Sequence, residues 1–255
     1  RDGNCVCLEL TEEVGYLRIK CMGGMFIEED RRKIRKFLAG GGAKDRKLLI
    51  DVRHNGGGLH YYAFDNLTAP FLTRSVTYTE TGGVRRPFIT SHEPAFLERL
   101  RGGVSIFAHE TSIKEIEPPA RWDPARWVFY AIERRVDPRE PYSFSGRLFI
   151  LLDGATGSAA DEYVNMAQRV GLATLVGRRT PGSCSPYFNP VIVRLPASGM
   201  IFVLEADLML NNDGSVNEIV GTKPDIECPP GLLPEKVAKE ELLQDGWIRK
   251  IIAEL

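Results

Sequence analysis

The sequence has no apolar run approaching the roughly 18 residues needed to cross a bilayer, no visible signal peptide, no internal repeat and no low-complexity tract. Neither sign of charge is in surplus, because 33 Lys and Arg stand against 34 Asp and Glu for a formal net charge of −1. Nucleic acid is therefore not an expected partner, since a phosphate backbone is held by surplus lysine and arginine. Short basic runs such as Arg31-Arg32-Lys33 and Arg178-Arg179 read as solvated faces. The five cysteines (Cys5, Cys7, Cys21, Cys184, Cys228) contain no CxxC pair, and Cys5 and Cys7 fall on one side of an alternating stretch where packing is expected rather than metal. They leave the redox compartment open. No two histidines have the HxxxH spacing and the acidic residues do not cluster, which sets a metal-dependent hydrolase aside. The chain begins at Arg1 without a methionine, which predicts a processed or excised piece of a longer polypeptide.

What is present is an ordinary globular composition, 255 residues that are 43% hydrophobic and 26% charged, enough for one large or two small domains. Cys5 to Leu10 and Val14 to Ile19 alternate apolar with polar residues and predict a hairpin. Residues 28–38 predict a charged helix closed by Gly40-Gly41-Gly42, and residues 59–72 a second one limited by Pro70. Between 73 and 146 the pattern weakens into an expected variable insertion. There Gly82-Gly83 predicts a hairpin turn between 76–79 and 87–89, and residues 123–136 predict a helix with Pro124 in its first turn. Beyond it, 173–176 predicts a short buried strand, 191–195 and 200–204 a second hairpin, and residues 234–255 two amphipathic helices. Strands alternating with helices predict an α/β core with mixed sheets and a hairpin-rich N-terminal part.

Two stretches carry chemistry. In residues 148–162 an apolar run reads as a strand covered on both faces, then Gly157-Ser158-Ala159-Ala160 leads into a helix. Ser158 there is either an ordinary N-cap or a nucleophile beside the unpaired N–H groups of a helix start, where developing negative charge is stabilised. In residues 47–58 a short buried strand runs into Gly56-Gly57-Gly58. Three glycines let the backbone take positive φ and bring bare amides close to a ligand, unless they are only a flexible turn. No phosphate loop is present, because the Lys-Ser/Thr that would engage phosphate and magnesium is missing.

Taken in order, Gly15-Tyr16-Leu17-Arg18-Ile19, Leu49 to Gly58, Gly157 to Glu162 and Gly221-Thr222-Lys223-Pro224-Asp225-Ile226 resemble the catalytic core of the carboxy-terminal processing (tail-specific) serine peptidases and their tricorn-like relatives. The connecting Leu175-Val176-Gly177-Arg178-Arg179-Thr180 fits the same pattern, and the resemblance covers nearly the whole chain, 1–255, as one catalytic core without a recognisable PDZ domain. It implies a ClpP/crotonase-like α/β fold, hydrolysis of peptide bonds in a polypeptide substrate, no cofactor, no metal, and an extracytoplasmic or secreted setting. Carried over residue by residue, it implies Ser158 as nucleophile and the amides of Ala159 and Gly57 as the oxyanion hole, with Gly56 and Gly58 beside them.

The departures from that family are specific. Where the Ser-Lys branch has its lysine, 25 residues after the serine, this chain has Ser183, and Tyr187 stands in the place of the following glutamine. In the tricorn-like branch a histidine N-terminal to the core takes the proton, and a glutamate before Gly-x-x-Pro-Asp assists. Glu218 matches that glutamate, whereas no histidine precedes Gly15. His60 follows the glycine turn by two residues and is a possible neighbour of the site or a surface histidine. His54 replaces an asparagine common in the motif. A missing N-terminal segment or a partner chain is therefore expected to supply the base; the alternative is a noncatalytic peptide- or ligand-binding scaffold of the same fold.

Overall fold

The structure is a computed structural model and describes residues 3–40, 47–92, 94–102, 109–139, 144, 146–182, 191–231 and 237–254. In chain order its elements begin with β1 (Cys5–Glu9), β2 (Val14–Ile19), α1 (Ile27–Gly40), β3 (Lys47–Asp51) and α2 (His60–Ala63). There follow β4 (Val76–Arg85), α3 (Arg86–His92), α4 (Pro94–Gly102), β5 (Glu110–Ile116), β6 (Trp127–Val136), β7 (Arg147–Leu152), α5 (Ala159–Arg169) and β8 (Thr174–Gly177). The last are β9 (Val191–Arg194), β10 (Ile201–Leu204), β11 (Asp207–Leu210), α6 (Asn217–Val220), β12 (Ile226–Glu227), α7 (Lys239–Leu242) and α8 (Gly246–Glu254).

Arg1–Val76, Val136–Gly182 and Val220–Leu255 form one unit around a six-stranded sheet of order β1-β2-β3-β7-β8-β12. Only the β1/β2 hairpin is antiparallel; β2/β3, β3/β7, β7/β8 and β8/β12 are parallel. The apolar runs of β3 and β7 are continuous because each strand is buried on both faces. On one face Leu49, Phe149, Leu151 and Val176 pack with Trp247, Ile248 and Ile251 of α8. Leu48, Ile50, Ile150 and Leu152, one residue out of step, are equally buried and point the other way. Each such side chain contributes about 1.5–3 kcal/mol when fully removed from water. The α/β core expected from the sequence is the fold found. Of the residues 59–72 expected to be helical, 60–71 are, although their hydrogen-bond step widens over Phe64–Thr68 and tightens over Ala69–Phe71.

Thr77–Arg135 and Ser183–Ile219 form the other unit, around a four-stranded sheet of order β11-β4-β6-β5 and the hairpin β9/β10. Two expectations fail here. Gly82-Gly83 is no turn: both glycines lie inside the ten-residue strand β4, and residues 86–92 are helical. A Cβ on Gly82 would collide with the Tyr130 ring, and one on Gly83 would meet Phe129 Cε1 at 2.7 Å. These glycines mark a close approach of rings to a strand. Residues 127–136 form the strand β6, with a turn at Asp123 whose carbonyl accepts the Trp127 N–H at 3.0 Å. The run Trp-Val-Phe-Tyr-Ala-Ile is rich in aromatic and β-branched residues, and that strand preference overrides the proline that seemed to open a helix. Arg134 of β6 is 1% exposed and is held by Glu80 of β4 and Glu110 of β5, so one buried cation ties three strands.

Candidate active site

The site lies where two parallel strands end. β3 and β7 are in register, Ile50 beside Ile150, and both run into loops at the carboxyl edge of the sheet, the side on which α/β folds assemble ligand sites. After β7 the chain turns sharply and enters α5. Ser158 sits at φ 52°, ψ −131°, a conformation that L residues rarely adopt, and its side chain makes no capping hydrogen bond. The Ala160 N–H donates to Gly157 O at 3.1 Å and the Glu162 N–H to Ser158 O at 2.9 Å, so backbone bonds close the turn. Ser158 is exposed, and the Ala159 N–H stands at the first helical position, where no intrahelical acceptor exists. Such a strained strand-to-helix turn holds a side chain outward at the head of a helix.

The glycine corner meets this turn. Gly57 has φ +94°, and a Cβ built on it would lie 2.7 Å from each of Ser158 Cβ, Ala159 N and Gly157 O. Asn55, fully buried, holds the two loops together. Its backbone carbonyl accepts the Gly157 N–H at 2.9 Å, its Oδ1 accepts the Gly57 N–H at 2.9 Å, and its Nδ2 donates to Ile19 O at 3.0 Å. The Gly57 amide, expected in the oxyanion hole, is engaged by Asn55 Oδ1 in this geometry.

Gly58 is arranged differently. Met22 bridges to it in parallel fashion, the Met22 N–H donating to Gly57 O and the Leu59 N–H to Met22 O, both at 2.8 Å. In that pattern the N–H and C=O of Gly58 itself point away from Met22. Gly56 is exposed, with open space where a Cβ would stand.

Further contacts stiffen the corner. His54, at φ 57°, donates its N–H to Asp153 Oδ1, and its Nε2 lies 3.0 Å from Asp153 Oδ2. The Thr156 hydroxyl donates to Val52 O and accepts the Asp153 N–H, each at 3.0 Å. Below them, buried Asp51 takes the Tyr16 hydroxyl at 2.7 Å and Nη2 of Arg53 at 2.7 Å, while Arg53 reaches Asp245 at 2.6 Å and lies over the Trp247 ring. Burial by itself disfavours the charged carboxylate, but Arg53 and Arg18 outweigh it and hold the Asp51 carboxyl below its ordinary range.

The start of α5 is clamped from its other side. Asp161 is fully buried, and its Oδ1 accepts the Thr180 hydroxyl at 2.9 Å and the Thr222 hydroxyl at 2.6 Å. Gly221 precedes Thr222 at φ +67°, where a Cβ would collide with Thr180 O. Asp225 accepts the Leu175 N–H and the Gln168 side-chain amide, both at 2.8 Å. The Gly-Thr-Lys-Pro-Asp motif is thus a splint between β8 and α5. Sequence reading identified the motif but not these contacts; an Asp in the first turn of a helix was the available signal.

His60 begins α2 with its ring against Tyr61 and Phe64. Glu218 lies in the other unit, where its carboxylate accepts the Met209 N–H at 3.0 Å. Ser183 and Tyr187 lie outside the described residues, as does Cys184. Among the described residues no group of three His, Cys, Asp or Glu could hold a metal ion, and no helix is long and apolar enough to cross a membrane.

Comparison with known proteins gives the same architecture. A protein from Parabacteroides merdae assigned provisionally as a peptidase superposes with a TM-score of 0.61 at 16% identity, covering 98% of this chain and 64% of that one. Mature CPAF complexed with lactacystin gives 0.59 at 15% identity, over 93% of this chain and 50% of the other. The photosystem II D1 C-terminal processing protease gives 0.51 at 16% identity, over 94% and 47%. The chain spans about half to two thirds of the length of these structures, and the likeness is one of fold: the α/β, ClpP/crotonase-like core. No protein of curated function matches the sequence. The profile of peptidase family S41 matches residues 13–228, and the chain belongs to that family.

Proposed function

We propose that this chain is the catalytic core of a serine peptidase that hydrolyses peptide bonds in polypeptides, with Ser158 as nucleophile. What supports this reading above all is the Ser158 turn: an exposed serine held at a strained backbone angle at the head of α5, packed directly against the Gly57 corner. A serine hydroxyl attacks only when a base takes its proton. In this proposal the base is a histidine from outside the 255 residues, on an adjoining segment or a partner chain. The oxyanion is received by the Ala159 N–H and, with Gly57 engaged by Asn55, by the Gly58 N–H. One such donor is worth about 3–4 kcal/mol in the transition state.

A fluorophosphonate probe applied to the full-length native protein tests the assignment. Labelling at Ser158 that disappears in Ser158→Ala is the expected result. A folded full-length protein that takes no label overturns it in favour of a noncatalytic peptide-binding scaffold.

A further inference from the structure

Away from the Ser158 corner, on the edge strand of the six-stranded sheet, β1 carries Cys5 and Cys7. Residues two apart in a strand share a face, and here both thiols turn toward α1, with their Sγ atoms 3.6 Å apart. They are unequal. Cys5 is buried at 4% exposure and Cys7 is partly open, and both line a surface groove with Leu8, Glu9, Lys33, Lys36 and Phe37. Neither is in a disulfide.

We propose that Cys5 and Cys7 form a thiol–disulfide exchange site for an anionic low-molecular-weight disulfide of the glutathione type, with Cys7 attacking and Cys5 resolving. The Cys7 thiolate displaces one thiolate of the incoming disulfide and forms a mixed disulfide. Cys5, giving its proton to solvent, attacks the Cys7 sulfur and expels the second thiolate. The balance is two protein thiols oxidised to one disulfide and one small disulfide reduced to two thiols.

Three observations carry this. The sulfurs are already in contact, so closure to the roughly 2.05 Å of a disulfide needs a shift of about 1.5 Å. Two residues of strand span about 6.7 Å between Cα atoms, the upper end of what a disulfide bridges, and among the described residues β1 pairs only on its β2 side, which leaves it able to pucker at Val6. The hydrogen bond from Cys5 is the main cause that pushes the Cys7 thiol below its ordinary pKa, Lys33 assisting and burial and Asp30 opposing, while the same bond and burial push Cys5 up. A partly open low-pKa thiol beside a buried resolving one is the arrangement that dithiol redox sites use. The groove also carries Glu9, and with Lys33 paired with Glu29 it is the exposed Lys36 that is placed to meet a carboxylate of the incoming disulfide.

The test is a timed incubation of the protein with glutathione disulfide at neutral pH, an acid quench, and peptide mapping without reduction. The expected result is a peptide holding Cys5 and Cys7 that has lost two hydrogens, formed ahead of any modification of Cys21 or Cys228 and reversed by excess dithiothreitol. In Cys5→Ser, and equally in Cys5→Ala, the same peptide is expected to stop with one glutathione on Cys7. Lys36→Glu is expected to slow the reaction about threefold. Modification of Cys21 or Cys228 before Cys7 overturns the proposal, as does a mixed disulfide on wild-type Cys7 that never closes.

Discussion

A methyl group placed on Gly57 would stand 2.7 Å from Ser158 Cβ, although these two residues are a hundred positions apart in the chain. The glycine is therefore fixed by what folds against it as much as by its own φ of +94°. Gly57→Ala meets both obstacles: a left-handed backbone that a Cβ disfavours and a clash with backbone atoms that have nowhere to go. The expected cost is about 3 kcal/mol, with probe labelling at Ser158 falling by more than tenfold. Denaturant melts and labelling rates measured side by side check it, and a Gly57→Ala protein as stable as wild type would contradict the convergence of the two turns.

Asn55 is the hinge pin of that convergence. Asn55→Ala removes a buried acceptor from the Gly57 N–H and a donor from Ile19 O, each worth about 1–3 kcal/mol when its partner is left unsatisfied. It also frees the Gly57 amide. We expect a loss of about 3 kcal/mol together with slower labelling at Ser158. Asn55→Asp separates the two effects, because a carboxylate can still accept from Gly57 but cannot donate to Ile19 O. Its labelling rate should fall less than that of Asn55→Ala.

What the sequence made legible follows how local each signal was. The apolar run of β7, the small residues after it and the amphipathic start of α5 fall within 15 consecutive residues, and the turn at Ser158 could be read from them. The hairpin β1/β2, helix α1 and the pairing of β9 with β10 were legible for the same reason. Gly82-Gly83 was misread because the rings that cover it come from β6, almost fifty residues later. Asn55 and Asp161 were overlooked as organisers because their partners, Ile19, Thr180 and Thr222, sit on other elements. The Gly57 amide illustrates the same point, since only the folded chain shows that a side chain two residues away already holds it.

The clamp at the other side of α5 predicts a graded series. Asp161→Asn keeps an oxygen for Thr180 and Thr222 and is expected to cost about 1 kcal/mol. Asp161→Leu takes away the acceptor to which both hydroxyls donate and is expected to cost about 3 kcal/mol. If the clamp positions Ser158, labelling slows in step with stability lost across the pair, and Thr222→Val lies between them. A Leu variant that labels at the wild-type rate would mean the clamp serves only the fold.

Acid should unfold the protein through Asp51. Its carboxyl is held below the ordinary range, against burial, by Arg53 and Arg18 and by hydrogen bonds from Arg53 and Tyr16. A group with a lower pKa in the folded chain than in the unfolded one binds its proton more weakly when folded. Its stabilisation is whole above the unfolded value, near pH 4, and is lost as pH falls from there toward the folded value. Asp51→Asn strands the buried Arg53 charge and should cost about 3–5 kcal/mol at pH 7. Melting temperature followed from pH 7 to pH 3 should fall steeply below pH 4 in wild type and along a flatter line in Asp51→Asn. Parallel curves would remove Asp51 from the acid response.

The strain at Ser158 can be measured apart from its chemistry. At φ 52°, ψ −131° a side chain costs on the order of 1–3 kcal/mol that glycine avoids, offset in part by the greater freedom of glycine in the unfolded chain. Ser158→Gly and Ser158→Ala both remove the hydroxyl, and both should abolish labelling. Only the first removes the Cβ. We therefore expect Ser158→Gly to melt about 3 °C above Ser158→Ala, the shift that about 1 kcal/mol produces in a domain of this size. A glycine variant that melts below the alanine variant would mean the turn is relaxed. The serine would then lose its clearest mark of having been placed for reaction at the expense of stability.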